Sequence, residues 1–95
     1  MKIKVLYHGA YRDITGKREE IRNIEPGDTL KDLIKKLETI YGAEFTKQLI
    51  DEKSNIFWSL RGIIVNGKII NPQEDLQVTL NNHDEIIFSP PVGGG

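Results

Sequence analysis

Leu30, Leu33, Ile34, Leu37 and Tyr41 recur at helical spacing and make one apolar stripe, with Lys31, Lys35 and Lys36 on the solvated side. A helix with one apolar stripe must bury it against another layer. The boundaries are marked. Pro26-Gly27-Asp28 breaks the chain before it, Thr29 is a candidate N-cap, and Asp32 three residues on makes a weaker form of the capping box. Asp28 and Asp32 suit the positive end of the helix dipole, and Gly42 is a natural residue to end it.

The layer that covers this stripe is a sheet. In Lys2–His8, Ile3, Val5 and Tyr7 alternate with Lys2, Lys4, Leu6 and His8, the pattern of a half-buried strand. Gly9–Gly16 reads as a turn-rich connection, and Arg18–Ile24 as a second, water-facing strand paired with the first. Ala43–Lys53, with Phe45, Leu49 and Ile50, reads as a second short helix, followed by a turn at Lys53-Ser54-Asn55. Ile56–Leu60 is apolar and fits either the core or an edge flap. Gly62–Val65 is a strand, Asn66-Gly67 a strong hairpin signal, and Lys68-Ile69-Ile70 the return strand. Pro72–Leu80 is an irregular link, Asn81–Asp84 a turn, and Glu85–Phe88 the last strand. The order β-β-α-(α)-β-β-β predicts an α+β domain of the β-grasp, ubiquitin-like class. It has a mixed sheet, one main helix on one face and a short second helical segment.

Bulk properties narrow the chemistry. Ninety-five residues make one small domain, and a net charge of −1 with scattered basic residues argues against nucleic acid as a partner. The chain has no cysteine, which removes disulfides, Cys-ligated zinc, iron–sulfur clusters and a thiol nucleophile. His8 and His83 stand far apart with no metal-ligand spacing, and the carboxylates are dispersed, so no bound metal or cofactor is expected. No stretch is long and apolar enough for a membrane, and Met1–Val5 is not a signal peptide, so the expectation is a cytoplasmic protein.

The chemistry-bearing feature is the end of the chain. Residues 1–88 form the expected domain, and Ser89-Pro90-Pro91-Val92-Gly93-Gly94-Gly95 a functional tail. Pro90 and Pro91 stiffen it in an extended form, while Gly93, Gly94 and Gly95 lack Cβ and fit a narrow channel. Fully extended, the seven residues reach roughly 23 Å. The reactive group at its tip is the α-carboxylate of Gly95.

Four segments together resemble the MoaD/ThiS group of ubiquitin-like sulfur carriers, with the small subunits of molybdopterin synthase as the nearest branch. They are Ile3–Tyr7; Arg12-Asp13-Ile14-Thr15-Gly16; Asp28-Thr29-Leu30 with Leu33; and Val65-Asn66-Gly67 with Asp84-Glu85-Ile86 running into Pro90–Gly95. Gly93 fills the family's variable position before Gly-Gly. The resemblance implies that an E1-like adenylating enzyme of the MoeB type uses ATP to convert the Gly95 carboxylate to an acyl-adenylate. A sulfur donor then makes it a thiocarboxylate. The large subunit, of the MoaE type and joined in a heterotetramer, would use that sulfur to build the dithiolene of molybdopterin, with its own catalytic side chains.

A carrier needs a face for its partners. Strand parity puts Leu6 and Ile87 opposite the helix-covered face, joined by Ile69, and Arg12 adds an ionic contact at the rim. His8 stands where the family often has an aromatic, and Ser89 where it often has Phe, so this docking face is less aromatic than the resemblance implies. Other readings stay open. A ubiquitin-like modifier would join the Gly95 carboxylate to lysines of target proteins through the same activated terminus. A carrier for thiazole synthesis and a plain interaction module fit less of the chain.

Overall fold

The computed structural model describes residues 1–51, 56–57, 63–70 and 76–89. Strand β1 (Lys2–Tyr7) alternates as its sequence does, with Ile3, Val5 and Tyr7 buried. Strand β2 (Glu19–Asn23) pairs with it antiparallel, Lys4 opposite Ile21 and Val5 opposite Glu20.

Between them the expected turn-rich connection is a helix, α1 (Ala10–Thr15), which buries Tyr11. Gly16 closes it in a left-handed conformation, its N–H donating to Arg12 O at 2.8 Å. Six residues are too few to display a helical period, so the flanking glycines read as turns. The order is therefore β-α-β before the main helix.

Helix α2 (Leu30–Tyr41) buries Leu30, Leu33, Ile34 and Leu37 of the predicted stripe, while Tyr41 at its end is half-buried. Its capping box is complete: Asp32 N–H donates to Thr29 Oγ1 at 3.3 Å, and Thr29 N–H to Asp32 Oδ2 at 2.9 Å. The link after the hairpin supplies acceptors for the other exposed donors. Leu30 N–H reaches Val78 O at 3.0 Å and Lys31 N–H reaches Leu76 O at 2.9 Å. The first turn thus leaves none of its first three N–H groups unpaired, which the sequence of the helix alone did not arrange.

Gly42, at φ 91° and ψ 175°, joins α2 to α3 (Ala43–Lys47) in a conformation nearly exclusive to glycine. The second helix was expected to run to Lys53; it stops at Lys47. Gln48 N–H bonds to Phe45 O and Leu49 N–H to Thr46 O, three-residue steps that tighten and end the helix. Phe45 and Leu49 are both buried, so the pair mimics a longer helical period. The chain then forms β3 (Ile50–Asp51), antiparallel to β4 (Ile56–Phe57), in a ribbon separate from the main sheet. The expected turn at 53–55 and the remainder of the Ile56–Leu60 run lie outside the described residues.

Strands β5 (Ile63–Val65) and β6 (Lys68–Ile70) flank Asn66 and Gly67, both at positive φ (51° and 83°), as a type I′ hairpin requires. Strand β7 (Glu85–Phe88) lies parallel to β1 and antiparallel to β5. The five-stranded mixed sheet has the order β2-β1-β7-β5-β6, so the first and last strands are its centre. One core joins α2, α3 and α1 to the inner side of that sheet.

Candidate functional site

Six of the predicted site residues, Pro90, Pro91, Val92, Gly93, Gly94 and Gly95, lie outside the described residues. The described part of the site is the root of this tail and the face beside it.

The root is held from several sides. Phe88 is fully buried, its ring 5.1 Å from that of Phe45, 5.6 Å from Tyr11 and 6.2 Å from Tyr7. Its carbonyl accepts from His8 N–H at 2.9 Å, extending the parallel pairing past the end of β1, and Ile63 lies opposite it on β5. Burying three or more aromatic rings around one residue makes the strand end a fixed point. Tyr11 keeps a buried hydroxyl with no hydrogen-bond partner among the described residues, and burial pushes that phenol's pKa well above its usual range.

The motif segments converge on the same strand. Asn66 Nδ2 donates to Asp84 Oδ1 at 2.8 Å, and Glu85 N–H donates to Asn66 Oδ1 at 2.8 Å. Asn81 N–H donates to the other oxygen, Asp84 Oδ2, at 2.7 Å, so the one buried carboxylate of this region is satisfied at both oxygens. Val65-Asn66-Gly67 and Asp84-Glu85-Ile86, distant in sequence, are thus one clasp that holds β7 against the hairpin.

On the sheet face away from the helices, the ladder registers place Leu6 opposite Ile87, Ile87 opposite Ile64, and Ile64 opposite Ile69. The four side chains form a continuous apolar row across β1, β7, β5 and β6. Leu6, Ile87 and Ile64 are half-buried and Ile69 is 52% exposed. Sequence reasoning reached Leu6, Ile87 and Ile69 but missed Ile64. The signal was present: a two-residue Asn66-Gly67 turn pairs Val65 with Lys68 and therefore Ile64 with Ile69. His8 follows β1 and is exposed, while Arg12 is exposed on α1, off the ladder, so these two are not part of the row. Beyond Leu6, Lys4 pairs with Glu19 at 3.4 Å, both about half exposed.

The helix side of the same sheet carries a different group. Tyr7 and Tyr41 both donate to Glu20 Oε2 at 2.5 Å, while Lys17 Nζ and Arg22 Nη1 approach Oε1 at 3.4 and 3.3 Å. Burial opposes ionisation of Glu20, but the two tyrosine hydrogen bonds, with Lys17 and Arg22, outweigh it and hold the carboxyl below its ordinary range. Burial, and then the bond to Glu20, push the Tyr7 phenol far above its own. This cluster ties the end of α2 to β1 and β2. Among the described residues no group of His, Cys, Asp or Glu is placed to hold a metal ion. No helix there is long and apolar enough to cross a membrane.

The chain matches the family model described as "ThiS family" over residues 5–95. Among solved structures it is similar to small archaeal modifier protein 1 from Methanosarcina acetivorans, 31% identical, covering 99% of this chain and 96% of that one at a TM-score of 0.70. It is also similar to a putative molybdopterin converting factor, subunit 1, from Pyrococcus furiosus, 26% identical, covering 96% and 98% at 0.72. A chain of the BexX/CysO complex from Amycolatopsis orientalis, 21% identical, covers 98% and 99% at 0.67 and shares the fold. No curated protein matches by sequence.

Proposed function

We propose that this chain, which belongs to the ThiS family, is a sulfur carrier that works as the small subunit of molybdopterin synthase, with the α-carboxylate of Gly95 as its reacting group. Its ubiquitin-like β-grasp fold is that of the sulfur carriers it is similar to. The observation that carries the reading is one of connection. Ile87 sits in the apolar row, and the same strand continues through a buried Phe88 into the tail. A partner gripping the row would find Gly95 eight residues further on, within roughly 26 Å when extended.

The chemistry follows from the carboxylate. A free carboxylate is a poor electrophile. Its oxygen attacks the α-phosphate of ATP on an E1-like adenylating enzyme, pyrophosphate leaves, and the acyl-adenylate carries AMP as a good leaving group. Sulfide-level sulfur, delivered as hydrosulfide, attacks the acyl carbon, AMP departs as the acyl–oxygen bond breaks, the proton is lost to solvent, and the tail ends in a thiocarboxylate. In the synthase this soft nucleophile enters the large subunit and delivers its sulfur to cyclic pyranopterin monophosphate on the way to the dithiolene. The carrier is a cosubstrate, and the catalytic side chains belong to its partners.

Intact mass after incubation with ATP, a competent activating enzyme and a sulfur source tests this directly. One sulfur-for-oxygen exchange at the C-terminal residue is expected, and an unchanged mass would sink the proposal. Gly94→Ala should retain the melting temperature and lose activation or transfer, because a methyl group is added to a tail that would pass through a narrow channel. The likeness to small archaeal modifier protein 1 favours a second reading, conjugation of Gly95 to lysines of other proteins. Branched peptides joining this C-terminal sequence to target lysines would establish it, and co-purification with a synthase large subunit would favour the first reading.

A further inference from the structure

Strand β2 is one edge of the sheet, with β1 as its neighbour among the described residues. Tyr7 N–H donates to Arg18 O and Ile24 N–H to Met1 O, each at 2.8 Å. Alternation from these bonds assigns the backbone groups of Glu20 and Arg22 to β1. Glu19, Ile21 and Asn23 therefore turn their N–H and C=O groups outward along the edge. Ile21 is also 60% exposed, more than any other large apolar side chain described.

We infer that β2 pairs antiparallel with β2 of a second copy of this chain, about a two-fold axis through Ile21. The segment Glu19-Glu20-Ile21-Arg22-Asn23 complements its own reverse. Ile21 meets Ile21 of the second copy, Glu20 meets Arg22 in both directions, and Glu19 meets Asn23. The residues brought together at Ile21 and at Glu19–Asn23 are those with outward-facing N–H and C=O groups, so the backbone ladder closes without distortion. Glu20 and Arg22 then form the close, non-hydrogen-bonded pairs, where side-chain contact is strongest.

The register is specific. Sliding by one residue sets inward-bonded groups against outward ones. Sliding by two sets Glu20 against Glu20 or Arg22 against Arg22, and like charges directly opposite are unfavourable. In the single chain Arg22 Nη1 leans onto its own Glu20 at 3.3 Å while about a quarter of the side chain stays exposed, so part of the guanidinium is open to a second carboxylate. Charges on an edge strand block pairing with arbitrary strands; in this order they admit a second copy.

The axis runs perpendicular to the sheet, because paired residues share a face. Both apolar rows Leu6–Ile87–Ile64–Ile69 therefore lie on one side of a ten-stranded sheet, away from the described helices, and the two β7 strands run in opposite directions. The inference rests on the edge alone and does not depend on what the tail does. Two five-residue edges bury far less than the roughly 1,000 Å² of a stable specific interface, so the dimer is weak and reversible.

Sedimentation velocity of the full chain, from micromolar to millimolar concentration, tests it. The weight-average mass should rise towards twice the monomer, and amide exchange at Ile21 and Asn23 should slow with concentration. Ile21→Lys, a change at an exposed side chain, should stay monomeric throughout with an unchanged circular dichroism spectrum, while Ile40→Lys on α2 should dimerise as the parent does. A parent chain that stays monomeric at millimolar concentration overturns the inference. So does a dimer that survives Ile21→Lys, or one that Ile40→Lys abolishes equally.

Discussion

Neighbouring residues on the central strands have opposite fates. Tyr7 and Ile86 are fully buried under the helices, whereas Leu6 and Ile87, one step along the same strands, are half-buried on the other face. Both faces are apolar at the sheet centre, but among the described residues the helices cover only one. The covered face is bound by packing, where each lost atom leaves a cavity. The open face is free of that constraint, and its apolar row costs the folded chain little to alter. Stability and the proposed partner recognition thus fall on alternate residues of the same two strands.

Substitutions on the two faces should separate these roles. Phe45→Ala, at the centre of the aromatic cluster that holds the tail root, should destabilise the chain by about 4 kcal/mol. Chemical denaturation would measure this; a loss under about 1 kcal/mol would mean the cluster is not the core it resembles.

Glu20→Gln should cost about 1.5 kcal/mol, since the charged acceptor of two tyrosine hydroxyls becomes neutral. It should also change the acid limb. The Glu20 carboxyl is held below its ordinary range, so its contribution is full above the unfolded value of about 4.3 and fades as pH falls through the folded value. Denaturation midpoints between neutral and strongly acidic pH should fall less steeply in the Gln variant, and parallel curves would refute the assignment.

On the open face, Ile87→Asp should lower kcat/KM for adenylation about tenfold, equivalent to about 1.4 kcal/mol, with the fold retained. Equal activity in the two chains would break the link between row and partner. Smallest of the set, Thr29→Ala should cost about 1 kcal/mol by removing the cap, a change in thermal midpoint with no change in activation kinetics.

What could be read beforehand followed the range of the interaction. Thr29 with Asp32, and Asn66 with Gly67, are devices spanning four residues or fewer, and both form as expected. The parity of β1 located its buried side. Helix α1 escaped notice because its one core residue, Tyr11, repeats nothing. Ile64 was overlooked although the Asn66-Gly67 turn already sets it opposite Ile69; only its place beside Ile87 depends on β5 lying next to β7, a pairing between segments far apart in the chain. The link Pro72–Leu80 reads as irregular, yet in its described part, residues 76–80, the carbonyls of Leu76 and Val78 satisfy the start of α2.

The sequence by itself determined the secondary elements with strong local signals, the one-sided helix and the family resemblance. These follow from spacing, turn chemistry and the residue types at the chain end. Only the tertiary structure decided that the first and last strands lie parallel at the centre, that Asn66 and Asp84 meet, and that four apolar residues from four strands align into one row. Such contacts depend on the simultaneous burial of distant segments, and no local pattern encodes which strand another will lie beside.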